Sequence, residues 1–157
     1  MKVNIYTDGA CRGNPGKGGY GIIMEWVGKP YIKEFSQGYK NTTNNRMELL
    51  AIIVALEKLK KEKLHITVYS DSKYVIDAVE KGWVFNWVKK KFKDKKNADL
   101  WMRFLKIYPN HNVKFQWIKG HNDHPQTERC DALAVEASHQ NDLLIDEGFE
   151  NKPKELF

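Results

Sequence analysis

Four carboxylates stand beside apolar runs rather than in polar stretches: Asp8 in IYTDGA, Glu48 in NNRMELL, Asp71 in VYSDSK and Asp131 in ERCDALA. Carboxylates crowded together repel, and burial raises their proton affinity. A divalent cation relieves both effects. Oxygen donors with no accompanying cysteine or histidine set favour magnesium, or manganese, over zinc. Two such ions about 3.5–4 Å apart activate a water and stabilise a leaving oxygen, so no nucleophilic side chain is needed. Three of the acids also have an ordinary explanation. Asn45 and Glu48 have capping-box spacing, Asp8-Gly9 is a hairpin signal, and Asp71 or Ser72 would serve as a helix cap. Whether the four converge decides between these readings, and that depends on the elements that carry them.

Residues 2–8 alternate apolar and polar, and predict a strand that Asp8 closes. The glycine-rich turn DGACRGNPGKGG follows. Its GKGGYG portion has the glycine spacing of a dinucleotide-binding loop but runs into a strand, so no helix N-terminus is there to receive a pyrophosphate. Strands over about 20–27 and 31–38, joined through Gly28-Lys29-Pro30, complete an antiparallel meander. Residues 42–60 read as a helix apolar on every side, which implies burial. Then come a strand over about 64–70 ending at Asp71, a helix, a basic excursion, a helix, a strand from Asn112 and a last helix carrying Asp131. This order predicts an α/β fold: a five-stranded mixed sheet, three antiparallel strands and then parallel ones, flanked by helices. The first and fourth strands should lie side by side with the 42–60 helix across them, bringing the four acids together.

The length is that of a single domain, and no apolar run approaches the roughly 18–20 residues that span a bilayer. Cys11 and Cys130 fit neither a disulfide framework nor a zinc spacing, and the N-terminus goes straight into a strand pattern. The expectation is a monomer in the cytoplasm, with reduced thiols and no membrane partner. His121-x-x-His124 lacks the second ligand pair that a zinc site requires.

Residues 81–96 hold seven lysines against Asp94 alone, which accounts for the whole net charge of +6. Trp83, Phe85, Trp87 and Phe92 are interleaved with them. Lysines that track phosphates beside flat rings suit nucleic acid, while exposed tryptophans also mark protein-binding surfaces. Together with a magnesium cluster, this patch points to a phosphodiester substrate and a metal-dependent nuclease.

YTDGACRGNPGKGGYG, TTNNRMEL, YSDSKYV, the GW…NW…KK segment and KGHNDHPQTERCDALA follow one another as in type 1 ribonuclease H, which the chain resembles over roughly residues 1–140. The resemblance implies a ribonuclease H-like fold and endonucleolytic hydrolysis of the RNA strand of RNA–DNA hybrids, leaving 5′-phosphate and 3′-hydroxyl ends. It implies that Asp8, Glu48, Asp71 and Asp131 bind the metal ions and that His121 helps protons move and product leave. Cys11, Asn14, Asn44 and Asn45 match positions that approach nucleic acid, and Thr43 with Asn14 matches part of a pocket for a DNA phosphate. Lys73, Trp83, Trp87, Lys89, Lys90 and Lys91 are further expected contacts, most of them on a basic protrusion at about 81–97. Asn41, Lys73, Phe92 and Thr127 depart from the family pattern without removing a metal ligand, which implies altered affinity or salt sensitivity. Residues 141–157 are expected to be an acidic tail outside the domain. A non-catalytic hybrid-binding module is the competing reading, although such a module should have lost a carboxylate.

Overall fold

The computed structural model describes residues 1–119 and 124–151. Strands β1 (Lys2–Cys11), β2 (Gly16–Trp26) and β3 (Ile32–Thr42) form the antiparallel meander. Helix α1 (Asn44–Glu57) leads to β4 (His65–Ser70), and α2 (Lys73–Glu80), α3 (Trp83–Lys89) and α4 (Ala98–Ile107) lead to β5 (Asn112–Trp117). Helix α5 (Pro125–Ser138) and the short α6 (Glu147–Glu150) complete the described chain. The sheet order is β3-β2-β1-β4-β5, with β1–β4 and β4–β5 parallel. The predicted mixed sheet and the β1–β4 adjacency are both present.

Strand alternation assigns each face its layer. Val3 and Ile5 of β1, Ile22 and Met24 of β2, and Ile66 and Val68 of β4 pack with α1, α2 and α4 in the main core. On the opposite face Tyr6 and Ile23 meet Cys130 and Leu133 of α5. The middle of α1 is apolar all round because it is enclosed on both sides: the sheet lies beneath it, and Trp101 and Phe104 of α4 belong to the same core. Each fully buried side chain of this kind contributes about 1.5–3 kcal/mol through the hydrophobic effect.

Two glycines permit close packing near the site. A Cβ at Gly9 would strike the backbone of Met47 and Glu48, so only glycine lets α1 settle this low on β1. A Cβ at Gly21 would strike the carbonyl of Cys130 and the side chain of Leu133, where α5 crosses β2. Gly19 and Gly21 of GKGGYG therefore line a strand and receive α5 against its backbone.

β1 runs three residues past Asp8, because its antiparallel ladder with β2 continues to Cys11↔Gly18. The parallel ladder with β4 ends earlier, at Tyr6↔Tyr69. Asp8 thus stands inside a strand, not at its end as expected, but at the point where one of its two neighbouring strands has stopped.

Candidate metal centre and nucleic-acid face

Continuing the β1–β4 register beyond Tyr6↔Tyr69 sets Asp8 opposite Asp71 at the carboxyl edge of the parallel strands. Glu48 reaches the same point from α1. The caps explain why these acids are available. Thr43 is the N-cap of α1, its hydroxyl accepting from Arg46 N at 3.3 Å, and Ser72 caps α2 by accepting from Val75 N at 3.3 Å. The capping-box reading of Glu48 is therefore wrong, and of the two caps expected for α2 it is Ser72, not Asp71, that serves. Glu48 lies in the second turn of α1, buried among Met47, Leu49 and their neighbours.

Asp8, Glu48 and Asp71 each offer a carboxylate oxygen within 4.8 Å of the others. In an octahedral magnesium site ligand oxygens lie about 3–4 Å apart, so small side-chain rotations close this group on a hard cation. The electrostatics favour such an occupant. Burial, followed by the charges of Asp71 and Asp131, pushes the Asp8 carboxyl up to about 8. Burial and then the charge of Asp8 hold Glu48 well above the usual carboxylate range. Gly9 N–H donates to Asp8 Oδ1 at 2.9 Å. Asp131, half-buried on α5, is near enough for its charge to act on Asp8, although it stands outside the three-carboxylate group. His121 lies outside the described residues.

Beside the carboxylates, the turn after β1 and the start of α1 form one surface. Asn44 N–H donates to Asn14 Oδ1 at 2.8 Å, joining them directly. The Cys11 thiol donates toward the carbonyl of Thr42 at 3.3 Å, and burial raises its proton affinity. Asn44 and Asn45 are exposed and Thr43 is half-buried. On the other side, the Lys73 ammonium sits 4.2 Å above the Trp117 ring, whose Nε1–H donates to the Asp71 carbonyl at 3.3 Å.

The basic segment, expected only as a basic excursion between helices, contains α3. Its aromatic residues divide. Trp83 and Phe85 are exposed, with Lys81 5.2 Å over the Trp83 ring. Trp87 packs edge-on against Trp101, their centroids 5.9 Å apart, and Phe92 is buried in the core. Lys91, Phe92, Asp94 and Asn97 all adopt positive φ, between 53° and 65°. Such backbone is costly away from glycine, and the burial of Phe92 offsets that cost. Lys89, Lys90 and Lys91 remain exposed, and a groove of about 570 Å³ opens between Trp83, Trp87, Lys90 and Lys95.

Sequence reasoning missed Arg46 and Asp146. Arg46 is 2% exposed, on the same helix as Glu48, and grips Asp99 of α4 and Asp146 of the C-terminal segment. An arginine flanking an apolar helical run was the available signal, because a buried guanidinium requires carboxylates. Of the segment expected as a tail, the described residues 141–151 pack against the sheet edge. Lys40 N–H donates to Leu144 O at 2.8 Å and Leu144 N–H to Gly38 O at 3.0 Å, beside a β-bridge between Tyr39 and Leu144.

Comparison with known proteins agrees with this geometry. The family model described as RNase H matches residues 1–139. The chain is 53% identical over 150 residues to the Ribonuclease H of Desulforamulus reducens, covering 92% of each chain. It is 52% identical over 155 residues to that of Lachnoclostridium phytofermentans, covering 93% of this chain and 98% of the relative. Among solved structures, LC9-RNase H1, described as a type 1 RNase H with the type 2 active-site motif, superposes with a TM-score of 0.78 at 29% identity, covering 99% of this chain and 82% of that one. LC11-RNase H1, solved in complex with an RNA/DNA hybrid, superposes with a TM-score of 0.57 at 28% identity, covering 86% and 95%. The fold is thus held in common with the solved structures and about half of all positions with the two bacterial relatives, and the chain belongs to the ribonuclease H family.

Proposed function

We propose that this chain is an endoribonuclease that hydrolyses the RNA strand of RNA–DNA hybrids, leaving 5′-phosphate and 3′-hydroxyl ends. The observation that carries the reading is the convergence of Asp8, Glu48 and Asp71 within 4.8 Å at the sheet edge, in a member of this family. The hybrid complex of LC11-RNase H1 supports the substrate class. Two magnesium ions held by Asp8, Glu48, Asp71 and Asp131 fit the all-oxygen donor set, with manganese as a substitute; when bound they polarise the phosphodiester and activate water.

The chain's own residues position the substrate. Buried Asp8 and Glu48 are held by the strand and helix that carry them, so their oxygens need little reorganisation on binding. Cys11, Asn14, Asn44 and Asn45 present polar groups along one edge, suited to reading 2′-hydroxyls across a wide minor groove, and Thr43 with Asn14 forms part of a pocket for a phosphate of the DNA strand. Lys73 and the exposed Lys89, Lys90 and Lys91 attract backbone phosphates, and Trp83 offers an exposed ring to the DNA strand. Trp87 supports that surface from beneath through Trp101. His121, which the family resemblance assigns to proton movement and product release, keeps that role in this reading. Residues 1–140 form the catalytic domain, and the described part of the acidic segment that follows, residues 141–151, packs against it. The enzyme acts as a cytoplasmic monomer, a setting that suits its two free thiols. Among the described residues no helix is long and apolar enough to cross a membrane.

Cleavage of an end-labelled RNA–DNA hybrid, with and without magnesium, tests this reading beside Asp71→Asn, with double-stranded DNA and double-stranded RNA as controls. RNA cut only in the hybrid, only with metal and not by the variant is the expected result. Binding without cutting in either magnesium or manganese would replace it with the hybrid-binding module.

A further inference from the structure

Asp146 lies beyond residues 1–139, where the family model ends, yet it is 6% exposed and fully engaged. Its Oδ2 accepts from the Thr42 hydroxyl at 2.6 Å and from Arg46 Nε at 2.7 Å, and its Oδ1 accepts from Arg46 Nη2 at 2.8 Å. Thr42 and Arg46 are 0% and 2% exposed, so water does not compete for these bonds. One carboxylate thus holds the residues on either side of Thr43-Asn44-Asn45, the N-cap and first two residues of α1. Those three side chains are among the proposed substrate contacts.

We infer that Asp146 is a positioning residue for hybrid binding: from the C-terminal segment it fixes residues 42 and 46, and so sets the start of α1 between them against the nucleic acid. This rests on the ribonuclease H reading. The other bonds at the start of α1 agree with it. Thr43, as N-cap, accepts from Arg46 N, and Asn44 N–H is held by Asn14, so the start of α1 is tied to Arg46 behind and to the β1–β2 turn in front. The segment itself is seated by the Leu144 bridge to β3, which places Asp146 without a long flexible connection. Asp99 provides the natural contrast. It grips the same guanidinium through Nη1 at 2.8 Å and Nη2 at 2.7 Å, but it belongs to α4 and has no bond to Thr42.

The experiment is steady-state cleavage of a labelled RNA–DNA hybrid by the full chain, well below its melting temperature. Wild type, Asp146→Asn, Asp146→Glu, Thr42→Val and Asp99→Asn are compared, with thermal unfolding recorded for each. Asp146→Asn should raise KM about five- to tenfold with kcat within about twofold, the pattern of weakened binding rather than impaired chemistry. Thr42→Val, which keeps the ion pair and therefore the fold, should raise KM about two- to threefold, on the scale of one hydrogen bond. Asp146→Glu should recover part of the loss. Asp99→Asn should lower the melting temperature while leaving KM near wild type. An unchanged KM in both Asp146→Asn and Thr42→Val overturns the inference, as does an equal rise in Asp99→Asn, which would mark general loosening. A wild-type chain that leaves the hybrid uncut overturns the ribonuclease reading itself, and this inference with it.

Discussion

Replacing Asp8 with asparagine should stabilise the protein in the presence of a chelator, increasingly so as pH rises, while removing the stabilisation that metal provides. Asp8 is 2% exposed, and its carboxyl is pushed up to about 8 by burial and then by Asp71 and Asp131. In the unfolded chain an aspartate titrates near ~4. Between about pH 4 and pH 8 the folded protein therefore retains a proton that the unfolded chain has released, and stability falls as pH rises. At about 1.4 kcal/mol per pK unit, ionising Asp8 in place costs on the order of 5 kcal/mol as an upper bound. Rotation of the carboxylates and entry of water leave about 2–3 kcal/mol of this. For a domain of this size 1 kcal/mol moves the melting temperature by about 2–4 °C. Asp8→Asn should thus melt about 5–10 °C above wild type at about pH 9, with the difference shrinking toward about pH 4. Thermal unfolding by circular dichroism across that range, in chelator and then in magnesium, reads both effects. Magnesium should raise the wild-type melting temperature most at high pH and the variant's much less. Glu48 is displaced in the same direction by the same leading cause, so Glu48→Gln should share the sign. A variant less stable than wild type at high pH in chelator, or wild-type stability that climbs between about pH 5 and pH 9, would refute the electrostatic account of the cluster.

Two further outcomes follow from other parts of the molecule. Exchanging Lys89, Lys90 and Lys91 for glutamine should weaken hybrid binding and flatten its dependence on salt by about 0.7–0.9 in logarithmic slope for each phosphate no longer neutralised, leaving metal-induced stabilisation intact; an unchanged slope in a salt titration removes these lysines from the interface. Gly21→Ala drives a Cβ into the Cys130 carbonyl and Leu133, and should cost about 1–3 kcal/mol in chemical denaturation, because α5 would have to lift from β2.

The periodicities of the sequence largely determine its architecture. Alternation in β1 and β4 and the uninterrupted apolar run of α1 demand a sheet with a helix buried across it, and short links force the meander. Asp8, Glu48, Asp71 and Asp131 are legible as candidates because each borders such a pattern. Three matters depended on tertiary contacts. Caps could not be assigned while several polar residues competed: Thr43 and Ser72 won because the chain enters each helix there in extended conformation, which left Glu48 and Asp71 for the site. The interleaved rings of the basic segment looked alike in sequence, but positive φ at Lys91 and Phe92 turns Phe92 inward while Trp83 stays exposed. The partnership of Arg46 with Asp99 and Asp146 spans 53 and 100 residues of chain. No local pattern encodes it, because a buried guanidinium fixes only that carboxylates must come, and the fold decides which ones.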